Sequence, residues 1–220
     1  MNQKAAEIGA KNTTFKNPHG LTAEGHMSTA EDMAIITEYA LQVPGFKEFF
    51  QSKTYQMEET AYHQAKTIAH TVKMLFDYSP YYYENLTGAK SGYTQKAGCC
   101  LASTASKDGL SYLLIVLGAN LDPLPPGQYA SNYTYIDTKN LFDWAFDNFK
   151  IATIADANTV VTNKAIENGT QEQVNLLTKT GFTTLIAKDA DLSQIEQDVR
   201  LEENVTLPVK KGEVLGDVSY

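Results

Sequence analysis

The chain has 220 residues, room for one large domain or two small ones, and its 43% hydrophobic and 20% charged residues are the balance of an ordinary globular protein. A formal net charge of −8 argues against a nucleic-acid partner, whose phosphates demand clustered Lys and Arg. The longest apolar run, Leu113 to Leu117, is too short to cross a bilayer and suits a buried strand.

In chain order, Asn2 to Ile8 reads as the last turns of a helix closed by Gly9. A loop rich in turn residues follows, Asn17-Pro18-His19-Gly20-Leu21. Ser28-Thr29-Ala30-Glu31 matches a capping box, with Ser28 bonding forward and Glu31 reaching back. Met33, Ile36, Tyr39 and Ala40 continue that helix until Pro44-Gly45. Phe46, Phe49 and Phe50 make a short second apolar face, and residues 67–76 hold another apolar stretch before Tyr81-Tyr82-Tyr83.

Two strand-like segments, Cys99 to Thr104 and Leu110 to Gly118, are separated by Lys107-Asp108-Gly109, a strong hairpin signal. Pro123, Pro125, Pro126 and Gly127 form a loop. Leu141, Phe142, Ala145, Phe146 and Phe149 then recur as a helical stripe, with Asp137 or Thr138 as the expected cap. Beyond residue 150 the aromatics thin out. Val160-Val161, Val174 to Leu177, Thr183 to Ile186 and Val205 to Leu207 are short β-type runs between turns, with Lys210-Lys211-Gly212 as a turn.

Cys99 and Cys100 are adjacent and would point to opposite faces of a strand, so no disulfide between them is expected. His19, His26, His63 and His70 follow no metal-ligand spacing, and neither a metal nor a cofactor is expected. There is no charged region followed by an apolar core of signal-peptide type. The helix at Met1 has no cap ahead of it and the last residues read as a strand, so the chain is expected to be a piece of a longer protein.

Three stretches, in order and spacing, resemble the low-molecular-weight penicillin-binding D-alanyl-D-alanine carboxypeptidases. They are Asn12 to Leu21 with His26, Ser28-Thr29-Ala30 and Asp32-Met33-Ala34; Gly88-Ala89-Lys90-Ser91-Gly92-Tyr93-Thr94 with Ala97 to Leu101 and the strand ending at Gly118-Ala119; and the tail at Leu207-Pro208-Val209-Lys210-Lys211-Gly212. The resemblance implies an α+β fold: the carboxy-terminal part of a penicillin-binding-protein/β-lactamase-like α/β sandwich over residues 1–149. A small, incomplete all-β domain follows over residues 150–220.

The chemistry of that family uses a Ser-x-x-Lys, a Ser-x-Asn and a Lys-Thr-Gly on an edge strand. No serine of this chain has Lys three positions on or Asn two positions on. The third element remains as Lys90-Ser91-Gly92, a change from Thr to Ser that keeps the hydroxyl and drops a methyl group. By resemblance, Lys90 is the catalytic and substrate-binding cation, Ser91 bonds the terminal carboxylate, and Gly92 lets the substrate main chain approach. The backbone N–H of Tyr93 would be an oxyanion-hole donor. Lys179-Thr180-Gly181 matches the tripeptide letter for letter, but it lacks the flanking pattern and the hairpin and is expected to be a decoy.

The family often carries an arginine after the hairpin that helps hold the carboxylate. The single arginine here is Arg200, in the tail, which leaves Asn132 or Tyr133 as candidate helpers. Asn17 to Leu21 and His26 are expected to be structural, and Tyr81 to Tyr83 to pack against the sheet.

The implied partners are a peptidoglycan stem peptide ending in D-Ala-D-Ala and, for the complete enzyme, β-lactam inhibitors. The implied place is extracytoplasmic, at the cell envelope. A non-catalytic wall-binding or interaction module, or a β-lactamase-related fragment, is the alternative reading. Without the first two motifs the chain is expected to be inactive alone.

Overall fold

The computed structural model describes residues 1–120, 132–165, 171–202 and 208–220. The loop expected at Pro123 to Gly127 and the strand expected at Val205 to Leu207 lie outside them. The chain divides into two units, Met1–Phe146 and Asp147–Tyr220.

The first unit begins with a short helix, α1 (Asn2–Glu7), which ends as its sequence indicates. Gly9 has φ +97°, its N–H bonds the Ala6 carbonyl at 3.2 Å, and the Ala10 N–H bonds that of Ala5 at 2.8 Å.

Helix α2 (Ala30–Gln42) starts one residue later than the capping-box reading expects. Thr29, not Ser28, is the cap, and its hydroxyl accepts the Asp32 N–H at 3.1 Å. Asp32 does not reach back to the cap. It is 2% exposed and accepts from the Asn12 N–H at 2.7 Å and the Thr13 hydroxyl at 2.6 Å. The acid at the third position is thus diverted to anchor the Asn12–Thr13 loop, and Ser28 joins the same network through Thr13 Oγ1 at 2.9 Å.

Helix α3 (Phe46–Gln51) buries Phe50 at 4% exposure but leaves Phe49 71% exposed, so the expected three-Phe face is not all interior. The antiparallel pair β1 (Thr54–Met57) and β2 (Lys66–Ala69) takes the start of the 67–76 stretch. The rest of that stretch goes inside: Val72, Met74 and Leu75 are 3% exposed or less.

The centre of this unit is a three-stranded antiparallel sheet in chain order, β3 (Leu86–Thr94), β4 (Gly98–Lys107) and β5 (Leu110–Ala119). Asp108 (φ +51°) and Gly109 (φ +81°) close the β4–β5 hairpin in the left-handed conformation that Asp-Gly tolerates. Along β4 the odd positions Cys99, Leu101, Ser103 and Ala105 are buried. That face meets helix α4 (Tyr133–Asn148), which contributes Tyr135, Phe142 and Phe146 to one core with Ala89, Leu101 and Ala105. The opposite face carries α3: a Cβ built on Gly88 would lie 2.5 Å from the Phe50 ring.

Helix α4 begins well before the expected cap, so Asp137 and Thr138 are interior helical residues. Burial of Thr134, Tyr135 and Thr138 extends the apolar-facing stripe toward its amino end. Tyr83 packs as expected, its ring stacked 5.9 Å from Phe142 and its hydroxyl donating to Asp143 at 2.9 Å.

The second unit is built from antiparallel pairs. Strand β6 (Phe149–Ala155) pairs with β9 (Phe182–Ala187), and β7 (Val160–Ala165) with β8 (Gln173–Leu177). Strand β10 (Asp198–Leu201) pairs with β11 (Gly216–Ser219). Among the described residues its buried side chains are Thr178 and Leu215. The Thr178 hydroxyl donates to the Asp156 carbonyl at 2.6 Å and accepts from the Thr159 N–H at 3.0 Å.

Candidate active site

Among the described residues, strand β3 lies at the edge of its sheet, hydrogen-bonded to β4 on one side only. Its register sets Ala89 opposite Ser103, Lys90 opposite Ala102, Ser91 opposite Leu101 and Gly92 opposite Cys100. Ala89 and Ser91 therefore share the face that looks toward α4, and Lys90 and Gly92 share the other. Because the strand is an edge, both sets border the same space.

That space is a cleft of about 450 Å³ lined by Lys90, Ser91, Gly92 and Tyr93 of β3 together with Thr71, Asn132, Thr134 and Tyr135. Cys99 and Cys100 of β4 complete its wall. All four residues singled out by sequence border one cleft, as does Asn132, whereas Tyr133 does not line it. Thr71, Thr134 and Tyr135 carry no motif and sit far from Lys90 in sequence. Only the approach of the 70–76 segment and the start of α4 brings them here.

Ser91 Oγ shares a hydrogen bond with Thr71 Oγ1 at 3.3 Å, and the Lys90 ammonium donates to the Ser91 carbonyl. A Cβ built on Gly92 would meet nothing within 4 Å. The fold itself does not require a glycine at that position, in contrast to Gly88 against Phe50.

His70 fixes the segment beside β3. Its Nδ1 accepts the Val72 N–H at 3.1 Å, and its backbone N–H bonds the Lys53 carbonyl at 2.8 Å. Burial holds its pKa below the ordinary value, and the nearby Lys90 charge adds to that, opposed by a hydrogen bond to the Ala89 carbonyl. With Nδ1 accepting, the ring is neutral and donates to Ala89 from Nε2. On the far wall, burial pushes the Tyr135 hydroxyl up, and that hydroxyl accepts the Lys73 N–H at 3.4 Å. Lys90 is the one charged side chain among the described residues lining the cleft.

Residues 1–121 match the family model for D-alanyl-D-alanine carboxypeptidase. The chain belongs to that family. Residues 149–220 match the model for the carboxy-terminal domain of penicillin-binding protein 5. The chain is 30% identical over 217 residues to a D-alanyl-D-alanine carboxypeptidase, DacF, of Bacillus subtilis, which aligns with 98% of this chain and 52% of the relative. It is 25% identical to the D-alanyl-D-alanine carboxypeptidase DacC of Escherichia coli over 100% of this chain and 50% of that protein. Penicillin-binding protein 5 from Haemophilus influenzae has the same fold, with a TM-score of 0.67 and 24% identity over 99% of this chain and 58% of that one. The chain spans about half the length of the curated carboxypeptidases it matches.

The family's fold accounts for the α+β sandwich of the first unit and the all-β second unit. The other stretches that carried the resemblance have structural partners. Asn17 closes its own loop by accepting the Gly20 N–H at 2.8 Å and donating to the Leu21 carbonyl at 2.9 Å. His26 packs edge-on against Phe15 at 5.8 Å and accepts the Lys16 N–H at 3.4 Å. Thr22 then ties this loop to the end of β3 through Thr94 Oγ1 at 3.2 Å. The carboxypeptidase-like tripeptide Lys179-Thr180-Gly181 falls in the second unit, between β8 and β9. Arg200 is also in that unit, where it pairs with Asp198 at 2.9 Å.

Proposed function

We propose that this chain is the substrate-binding part of a serine-type D-alanyl-D-alanine carboxypeptidase, which removes the terminal D-Ala of peptidoglycan stem peptides through an acyl-enzyme. The observation that carries the reading is Lys90-Ser91-Gly92 on the edge strand β3, bordering an open cleft within the residues that match the family.

In this reading the Lys90 ammonium lies beside both the anionic end of the substrate and the nucleophile's proton network. The Ser91 hydroxyl donates to the terminal carboxylate. The peptide adds as a strand along β3, closest at Gly92, and the Tyr93 N–H supplies one of two oxyanion donors. Residues 1–149 are then part of the peptidase domain and residues 150–220 the small β domain that follows it. The substrate places the protein outside the cytoplasm, at the cell envelope, and β-lactams inhibit the complete enzyme.

Since no serine in the 220 residues begins Ser-x-x-Lys or Ser-x-Asn, the chain alone has no serine to acylate. Incubation with a fluorescent penicillin followed by intact mass measurement is expected to show no adduct. A stoichiometric acyl adduct would overturn the reading. In a longer form of the protein that carries a Ser-x-x-Lys, Lys90→Ala is expected to remove most acylation and Lys179→Ala to leave it near normal. Equal losses at unchanged melting temperature would mean that β3 is the wrong strand.

A further inference from the structure

Strand β3 is not equally open along its length. Gly88 and Ala89 are buried, whereas Lys90 and each residue after it to Thr94 are exposed or half-buried. The change falls where the 70–72 segment meets the strand. The His70 ring donates to the Ala89 carbonyl, and Thr71 Oγ1 shares its hydrogen bond with Ser91 Oγ at 3.3 Å. The segment is itself fastened: His70 Nδ1 accepts the Val72 N–H, the His70 backbone N–H bonds the Lys53 carbonyl, and Val72 is fully buried. A covering tied on both sides of His70 and buried at Val72 is costly to displace.

Peptide groups along a strand point alternately to its two sides. The Ala89 carbonyl turns away from β4 to reach His70, so the peptide groups of Ser91 and Tyr93 also point to the free side. The Lys90 ammonium, which reaches the Ser91 carbonyl, agrees with that assignment. Among the described residues no turn or loop segment bonds the backbone of Ser91 or Tyr93. The free side of β3 is thus a pairing edge that is open at Tyr93 and Ser91 and closed at Ala89, with room for about two residues of an added strand. With the terminal carboxylate at the Ser91 hydroxyl and the scissile carbonyl at the Tyr93 N–H, a bound peptide runs toward Ala89. A residue beyond that carboxylate would bring its N–H to the Ala89 carbonyl, which the His70 ring already occupies.

We propose that His70 is a specificity-determining stop: by occupying the Ala89 carbonyl it ends the pairing edge of β3 and confines the site to peptides that finish opposite Ser91. This rests on the reading of the Lys90–Gly92 strand as the peptide site, and it gives a role to a residue to which no motif points. A cation or hydroxyl selects a chain end by attracting its carboxylate. His70 selects it differently, by leaving a longer peptide no edge to pair with.

The test titrates the 15N-labelled 220-residue chain with N-acetyl-D-Ala-D-Ala and with N-acetyl-D-Ala-D-Ala-Gly, which carries its free carboxylate one residue further on. Amide shifts of Ser91 and Tyr93 report affinity, and melting temperature is measured alongside. Wild type is expected to prefer the shorter peptide by about fivefold or more, the scale of a lost hydrogen bond. His70→Ala frees the Ala89 carbonyl for the next N–H and is expected to narrow that preference about fivefold, the scale of one hydrogen bond regained. His70→Gln keeps a side-chain donor and is expected to retain the wild-type preference. A purely structural role would weaken both peptides together and leave their ratio unchanged.

If wild type binds the two peptides equally while Ser91 and Tyr93 shift, there is no stop and the β3 site stands, a comparison that depends on no variant folding. If His70→Ala keeps the full preference, or His70→Gln loses it, the stop is not the His70 donor and the proposal is overturned. If neither peptide shifts Ser91 or Tyr93, the β3 site falls and the inference with it.

Discussion

Gly88 and Gly92 flank the same motif on the same strand and face, but they are glycines for different reasons. A methyl group at Gly88 would sit 2.5 Å from the Phe50 ring, whereas one at Gly92 meets open space. Gly88→Ala is therefore expected to destabilise the fold by about 1–3 kcal/mol, the usual cost of overpacking. Gly92→Ala is expected to leave the denaturation midpoint within about 0.5 kcal/mol of wild type, as a surface change does, and to impair only ligand binding. Urea denaturation curves of the two variants separate these outcomes. His70 gives a second residue-scale expectation. Its pKa in the folded protein lies below the ordinary 6.5, through burial and the Lys90 charge. As pH falls below that value the unfolded chain takes up the proton first. The stabilisation from neutral His70 is thus complete above pH 6.5 and is lost as pH drops toward the folded pKa. His70→Asn is expected to narrow the difference in melting temperature between pH 7.5 and 5.5 relative to wild type.

At the scale of elements, the start of α2 shows how a local signal is reused by tertiary contacts. The sequence Ser28-Thr29-Ala30-Glu31-Asp32 offers two overlapping caps, and the one chosen is that whose acid also finds the Asn12–Thr13 loop. Thr29→Ala removes a cap and is expected to cost about 1 kcal/mol. Asp32→Ala leaves a buried N–H and a hydroxyl without their acceptor and is expected to cost about 2–4 kcal/mol, since bonds to a charged group are the stronger ones. Thermal melts of the two variants rank them, and a milder effect at Asp32 than at Thr29 would contradict the anchoring role. The β4–β5 hairpin is the opposite case. Asp108-Gly109 and the alternation along β4 determine turn, register and buried face with no outside help.

Across the whole molecule the two units differ in how much they bury. The first has a contiguous core running from Val72 through Leu101 to Phe146. In the second, the strands of every pair carry exposed and half-buried residues only, with Leu215 the apolar side chain that is buried among the described residues. Stability within a protein follows such differences, because local opening exposes little where little is buried. Native-state amide exchange is expected to be slowest at Leu101, Ser103 and Ala105 of β4 and faster throughout β6 to β11. Equal protection in the two units would show that the second holds together by contacts outside its own interior.

The sequence by itself determined the family, the β4–β5 hairpin, the loop at Asn17 and the strand carrying Lys90, Ser91, Gly92 and Tyr93. Each of these rests on short-range chemistry: a turn type, an Asx bond, an alternation of period two, an ordered set of motifs. What the tertiary structure alone decided lies where distant segments meet. Helix α4 begins at Tyr133 instead of Asp137 or Thr138 because burial of Thr134, Tyr135 and Thr138 outweighs their modest helix propensity. Thr71, Thr134 and Tyr135 become cleft residues because Ser91 lies on the face of an edge strand that α4 and the 70–76 segment both approach. No spacing in the chain encodes that meeting; it follows from packing three separate apolar stretches onto one sheet.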